Sequence, residues 1–201
     1  MPAKQVDPRA VFLNLPYDKE FEPLFLAYIA GVSCLRLIPC VTLGIPGGDR
    51  RLDRIFDLVR RSRYSIHDLS RVEMDTHRPP TPRFNMPFEL GLAVAWTKIN
   101  RARHRWFVFE TQPRRVMKSL SDLNGTDVQI HRGTPGGVMR ELCSAFVSVR
   151  RQPSIQEMMQ VYRHLKRAVP EIQQRTGATT IYEARIFREL SLVAAALARR
   201  L

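Results

Sequence analysis

Pro82-Arg83-Phe84-Asn85-Met86-Pro87-Phe88-Glu89-Leu90-Gly91-Leu92-Ala93-Val94-Ala95-Trp96 decides how this chain is read. From Met86 to Trp96 the only charged side chain is Glu89. Asn85 suits the N-cap of a helix, and Pro87 is tolerated in a first turn because its missing N–H has no helical partner there. A helix that is apolar all round is expected to be buried all round. A carboxylate inside such a helix needs a partner or a task that offsets its desolvation. A capping box is the structural alternative, but it places the acid three residues after the cap, and Glu89 stands four after Asn85.

Upstream, Val11-Phe12-Leu13-Asn14-Leu15-Pro16 has the continuous apolar character of a strand buried on both faces. Residues 1–9 before it form a polar lead-in. Asp18 is placed to cap a helix over about 21–35, and 37–43 follow as a second strand, at a sheet edge because of Pro39. The loop holding Gly47, Gly48 and Asp49 precedes a helix over about 50–63, with Asp49 as its cap. Tyr64-Ser65-Ile66-His67-Asp68-Leu69-Ser70 is a third strand. Further strands over 105–110 and 128–131 are separated by a short helix within 115–123, and a helix over about 137–149 follows. This alternation predicts an α/β fold: a flavodoxin-like, Rossmannoid, doubly wound and mainly parallel five-stranded sheet spanning 10–152. Residues 153–201 then form a C-terminal helical hairpin, over about 155–175 and 181–200. Ser154…Glu157 and Thr180…Glu183 supply its capping boxes. That hairpin must cover a surface, either the sheet of its own chain or another subunit, so a homo-oligomer held partly through it is expected.

Thirty-two Lys and Arg against 19 Asp and Glu give a formal net charge of +13, which favours anionic ligands. The charge is spread over many segments, so a nucleic-acid-binding role is an alternative and not the favoured reading. Three cysteines without a C-x-x-C pattern argue against a disulfide framework or a metal centre and suit a reducing cytoplasm. No stretch is apolar for the roughly 18 residues that a membrane span requires.

A doubly wound sheet collects its functional residues at the carboxyl ends of its strands. Asn14, Pro16, Tyr17 and Asp18 follow the first strand; Gly47, Gly48 and Arg50 precede a helix N-terminus suited to phosphate. Asp68 and Ser70 end the third strand, and Arg83, Asn85 and Glu89 open the quoted helix. Asp68 and Glu89 are expected to act as a carboxylate pair, one as nucleophile or stabiliser of a ribosyl cation and the other positioning a hydroxyl or activating the attacking group. His67 alternates away from Asp68 and reads as packing, and His131 reads as a satisfied strand histidine. Neither G-K-[ST] nor G-x-G-x-x-G is present, which argues against P-loop and hydride-transfer chemistry. No G-x-S-x-G nucleophile elbow is present either.

Glu89-Leu90-Gly91-Leu92-Ala93, the strand ending in Asp68 and the initial Val11-Phe12-Leu13-Asn14-Leu15-Pro16-Tyr17 resemble the nucleoside 2-deoxyribosyltransferase-like superfamily, whose relatives include TIR-type NAD hydrolases. The longer pattern over 64–93 is similar to bacterial proteins described as nucleotide-binding. The resemblance covers roughly 10–150. It implies cleavage or transfer of an N-glycosidic bond without a required cofactor. The catalytic glutamate role falls on Glu89 and the strand-end aspartate role on Asp68, with the loop from Leu15 to Asp18 against base or ribose. This chain departs from the transferases in having Arg83-Phe84-Asn85 before the motif, and Arg83 suits a phosphate, which favours a nucleotide or NAD over a free nucleoside. A non-catalytic nucleotide sensor is the alternative reading of the same pocket.

Overall fold

The computed structural model describes residues 6–44, 50–75, 78–100 and 103–201. Strands β1 (Asp7–Asn14), β2 (Ile38–Cys40), β3 (Ser62–Asp68), β4 (Arg105–Glu110) and β5 (Val128–Ile130) pair in parallel in the order 2-1-3-4-5. The expected doubly wound sheet is therefore present, in the strand order of flavodoxin-like folds. Pro39 lies in the three-residue edge strand β2, where a missing N–H costs no inner ladder bond. β1 starts at Asp7, inside the expected lead-in, because Asp7 already pairs with Ser62.

Helix α1 (Glu22–Cys34) and helix α5 (Pro135–Ala145) cover one face of the sheet; α2 (Arg51–Arg61), α3 (Asn85–Ile99) and the short α4 (Arg115–Ser119) cover the other. Side chains of β1 divide accordingly, with Val11 and Leu13 toward α1 and Phe12 toward α2. Right-handed crossovers require this split, since the chain runs left from β1 to β2 and rightward afterwards.

The C-terminal hairpin, α6 (Ile155–Thr176) and α7 (Ala184–Ala198), forms a further layer over α1. Every residue of α1 from Leu24 to Cys34 is buried. Its Phe25 meets Tyr182 of the hairpin segment edge-on at 5.1 Å between ring centres and Phe187 at a tilt at 6.2 Å, while Tyr28 meets Phe109 of β4 at 5.5 Å. Residues 153–201 share a single core with the sheet, so the hairpin covers α1 instead of lying apart from the α/β unit. Ser154 and Glu157 form the expected capping box, and Gly177, at φ 69°, closes α6 in the left-handed region that glycine tolerates. The second box differs from expectation. Glu183 accepts from the backbone N–H groups of Thr179 and Thr180, while Thr180 Oγ1 accepts from Tyr182 N, so 180–183 form a turn and α7 starts at Ala184.

Helix α3 also departs from its expectation. Phe84, not Asn85, is its N-cap, and no side chain caps it. Only Met86, Glu89, Leu90 and Ala93 are buried; Phe84, Phe88 and Ile99 are 68, 56 and 81% exposed. The helix buried on all sides is α1, because α6 and α7 lie over it; no helix of the described chain lies over α3 in the same way.

Candidate functional site

β1 leads to β2 on one side and β3 leads to β4 on the other, so the carboxyl ends of β1 and β3 form the fork at which such sheets hold ligands. The first turn of α3 seats on this fork. Asn14, the last residue of β1, donates through Nδ2 to His67 Nδ1 of β3 at 3.0 Å and, at 3.5 Å, to the carbonyl of Met86 in α3. Glu89 follows within one turn and is 4% exposed. Among the described residues no hydrogen bond or ion pair reaches its carboxylate. Burial pushes its carboxyl up to about 7, against the pull of the Arg51 charge. Tyr17 feels the same carboxylate. Burial chiefly raises its phenol, to about 12, and its hydroxyl lies 3.2 Å from Thr42 Oγ1.

A chain of hydrogen bonds runs from this fork toward the opposite end of the sheet. His104 Nδ1 lies 2.9 Å from the Ser62 carbonyl, which accepts only, so that nitrogen carries the proton. Burial holds His104 and His67 below the usual imidazole range, His67 at about 3, so each ring is neutral with one proton. His104 Nε2 is then bare and accepts from Ser65 Oγ at 2.9 Å; Ser65 accepts from His67 Nε2 at 2.9 Å; His67 Nδ1 is bare and accepts from Asn14. One carbonyl at the far end thereby decides which way the Asn14 amide faces. Its nitrogen is held inward, and its Oδ1 accepts nothing from the described residues.

Asp68 lies on the other face of the sheet, with Ile66 and α1, so the expected pairing with Glu89 does not occur: successive strand residues alternate faces, and α3 covers the His67 side. Asp68 is fully buried. It accepts from Tyr28 Oη at 2.7 Å and from Ser70 N at 2.9 Å, and it faces His131 Nε2 at 3.2 Å. Gly133 N donates to His131 Nδ1 at 3.1 Å, which places the imidazole proton on Nε2, between Asp68 and Ser70 Oγ (3.0 Å). A histidine whose outward nitrogen already carries a proton cannot take one from Ser70, so this cluster is not a Ser–His–Asp triad. It braces the rim of the sheet. Ser70 also lines a hollow of about 280 Å³ with Arg71, Thr111 and Arg115. Arg71 is paired there with Asp18 and Glu20, and Arg115 with Glu110 and Glu73.

The remaining expected residues separate. Arg83 pairs with Asp18 at 3.2 Å, not with Glu89, and Asp18 also caps a 3₁₀ turn through Phe21 N. Arg51 replaces Arg83 as the cation near the glutamate. Pro16 is buried behind the fork, while Asn85 is exposed and Arg50, exposed, precedes α2 without a side-chain cap bond. Gly47, Gly48 and Asp49 lie outside the described residues. His67 read as packing, and Ser65, His104 and Arg51 went unassigned from sequence. Periodicity shows that Ser65 and His67 share a face, but only the β1–β3 register, Asn14 opposite His67, shows which face.

No group of His, Cys, Asp and Glu among the described residues is arranged to hold a metal ion. No described helix is long and apolar enough to cross a membrane. A cavity of about 550 Å³ lies away from the fork, between α1, the start of β2 and α7. Compared with known proteins, the chain matches no family model, and no curated protein or solved structure is significantly similar to it.

Proposed function

We propose that the β1/β3 fork binds a nucleotide or NAD-like ligand and that Glu89 promotes cleavage of its N-glycosidic bond. The observation that carries this reading is a glutamate only 4% exposed, whose carboxylate has no partner among the described residues, at the topological switch point of the sheet. In the proposed reaction the C1′–N bond breaks with its electron pair leaving on the base. The oxocarbenium charge that develops at C1′ is stabilised by the ionised Glu89, strongly so in a site of low dielectric. Water then adds to C1′ and loses a proton, or a second base adds in its place. Asn14 Oδ1, which accepts nothing from the described residues, offers an acceptor to a ribose hydroxyl. The cationic Arg51, in the first turn of α2, favours a phosphate nearby. A pyridinium base leaves as a neutral molecule and needs no proton. That suits a site where Tyr17 keeps its proton at neutral pH.

Incubating the purified chain with NAD, nucleoside monophosphates and deoxynucleosides, and following free base by chromatography, tests the proposal. Base release from one of them that is lost in Glu89→Gln supports it; no release from any of them, with ligand bound, rejects catalysis. That second outcome fits a nucleotide sensor, which the raised Glu89 pKa of about 7 also favours, since a half-protonated acid is a weaker stabiliser of cations.

A further inference from the structure

The cavity of about 550 Å³ between α1, the start of β2 and α7 takes no part in the proposed reaction. Its shape follows from the sequence of α7. Ile186, Leu190 and Ala194 of that helix are fully buried in the core, while Ala184, Arg188, Ser191 and Ala195 fall one to a turn along the adjoining side and line the cavity. Three of those four side chains are short, which leaves a hollow between the helix and the edge-strand segment Leu37, Ile38 and Pro39. Leu192, 58% exposed, marks where it opens to solvent. From Ala184 to Ala195 the lining runs roughly 16 Å along the helix axis, so the hollow is elongated.

Two kinds of polar group interrupt its apolar walls. Ser33, in the last turn of α1, is 3% exposed, and neither its Oγ nor that of Ser191 has a hydrogen-bond partner. Neither takes the carbonyl one turn back, the usual recourse of a serine inside a helix. A hydroxyl buried without a partner is costly, and an oxygen brought into the cavity relieves that cost. Arg185 and Arg188 line the cavity from exposed positions on one side of α7, and among the described residues neither forms an ion pair. The acids beside them are engaged elsewhere: Glu183 accepts from the N–H groups of Thr179 and Thr180, and Glu189 pairs with Arg175. No acidic side chain is among the described residues that line the cavity.

We propose that this cavity binds an amphipathic carboxylate with a straight hydrocarbon chain, its head on Arg185 and Arg188 and its tail toward Leu192 and Ala195. A long hollow with aliphatic walls and a few convergent polar groups fits such a ligand, and the arginines lie toward one end of it, at the start of α7. Guanidinium groups bind carboxylates through paired hydrogen bonds, and the first turn of α7 adds positive potential at the same end. At about 30 Å³ for each heavy atom, the share of a water molecule in its liquid, decanoate fills roughly two-thirds of the space. A nucleotide is not matched, because no Asp, Glu, Asn or Gln side chain among the described lining residues is there to read the edge of a base. The site is separate from the fork and stands whether or not Glu89 is catalytic.

Calorimetric titration of the full chain with hexanoate, octanoate and decanoate, below the concentrations at which they form micelles, tests it. Affinity is expected to rise roughly fourfold with each added methylene, as burial of the chain requires. The double substitution Arg185→Gln with Arg188→Gln, at exposed positions, is expected to weaken decanoate binding at least tenfold with unchanged circular dichroism. Ala195→Phe fills the hollow and is expected to abolish binding, while excess AMP leaves the decanoate titration of the wild type unchanged. Absence of decanoate binding overturns the proposal. So does binding that is indifferent to chain length or survives loss of both arginines, which is what attraction to a basic surface alone would give. Displacement of decanoate by AMP overturns the assigned ligand class.

Discussion

At the scale of single residues, Glu89 was legible because one charge in an apolar run is conspicuous, whereas its neighbours were set by which face of a strand each side chain occupies. Asp68 stands one position past His67, and that single step places it across the sheet from the glutamate. Burial raises the Glu89 carboxyl to about 7, above its unfolded value, so the protonated form is favoured in the fold. Its contribution to stability is then present below about pH 4.5 and is lost as pH rises through 7. Glu89→Gln is therefore expected to melt at a higher temperature than wild type at pH 8.5, by an amount equivalent to about 2 kcal/mol, and nearly together with it at pH 4.5. Thermal melts at the two pH values check this. Catalysis needs the opposite form, so base release should rise with pH through about 7. His67 behaves in the opposite sense. Its folded pKa, about 3, lies below the unfolded value, so the stability it confers is present above about pH 6.5 and is lost as pH falls from there toward 3. His67→Phe should flatten that acid limb in urea titrations. It should also raise KM for the ligand about tenfold, since the Asn14 amide loses the bond that fixes its orientation.

At the scale of elements, local signals were reliable where their chemistry closes within a few residues. Ser154 and Glu157 bond each other's backbone as read from the sequence, and Ser154→Ala is expected to cost about 1 kcal/mol in chemical denaturation. The Thr180…Glu183 repeat of that pattern opens a turn, because Glu183 takes the N–H of Thr179 as well as that of Thr180. α1 and α3 carry the same uniform apolar signal; only the layer above each distinguishes them, and that layer is supplied by residues far away in sequence. Gly137, in the first turn of α5, was not singled out, yet an added Cβ there meets the His131 carbonyl oxygen at 2.0 Å. Gly137→Ala is predicted to destabilise by roughly 3 kcal/mol, as overpacking against backbone does, with the loss read from the denaturation midpoint.

At the scale of the whole molecule, the alternation of strands and helices was enough to give the sheet, its parallel sense and its carboxyl-edge fork, because βαβ crossovers leave little freedom of hand. The role of 153–201 was not legible as covering α1, since an apolar stripe shows that a face is buried and not against what. A chain ending at residue 152 is expected to be insoluble, because it strips the cover from α1, whose buried run extends from Leu24 to Cys34. Soluble expression with a native-like melting transition would contradict that. The fork remains the feature on which the functional account depends. It is tested most directly by the crystal structure of the Glu89→Gln protein soaked with NAD or with whichever nucleotide the wild type cleaves. The account predicts the anomeric carbon within ~3.5 Å of the side chain at position 89, with a ribose hydroxyl on Asn14 Oδ1. A ligand seated instead between α1, β2 and α7, or one whose sugar points away from α3, would contradict it.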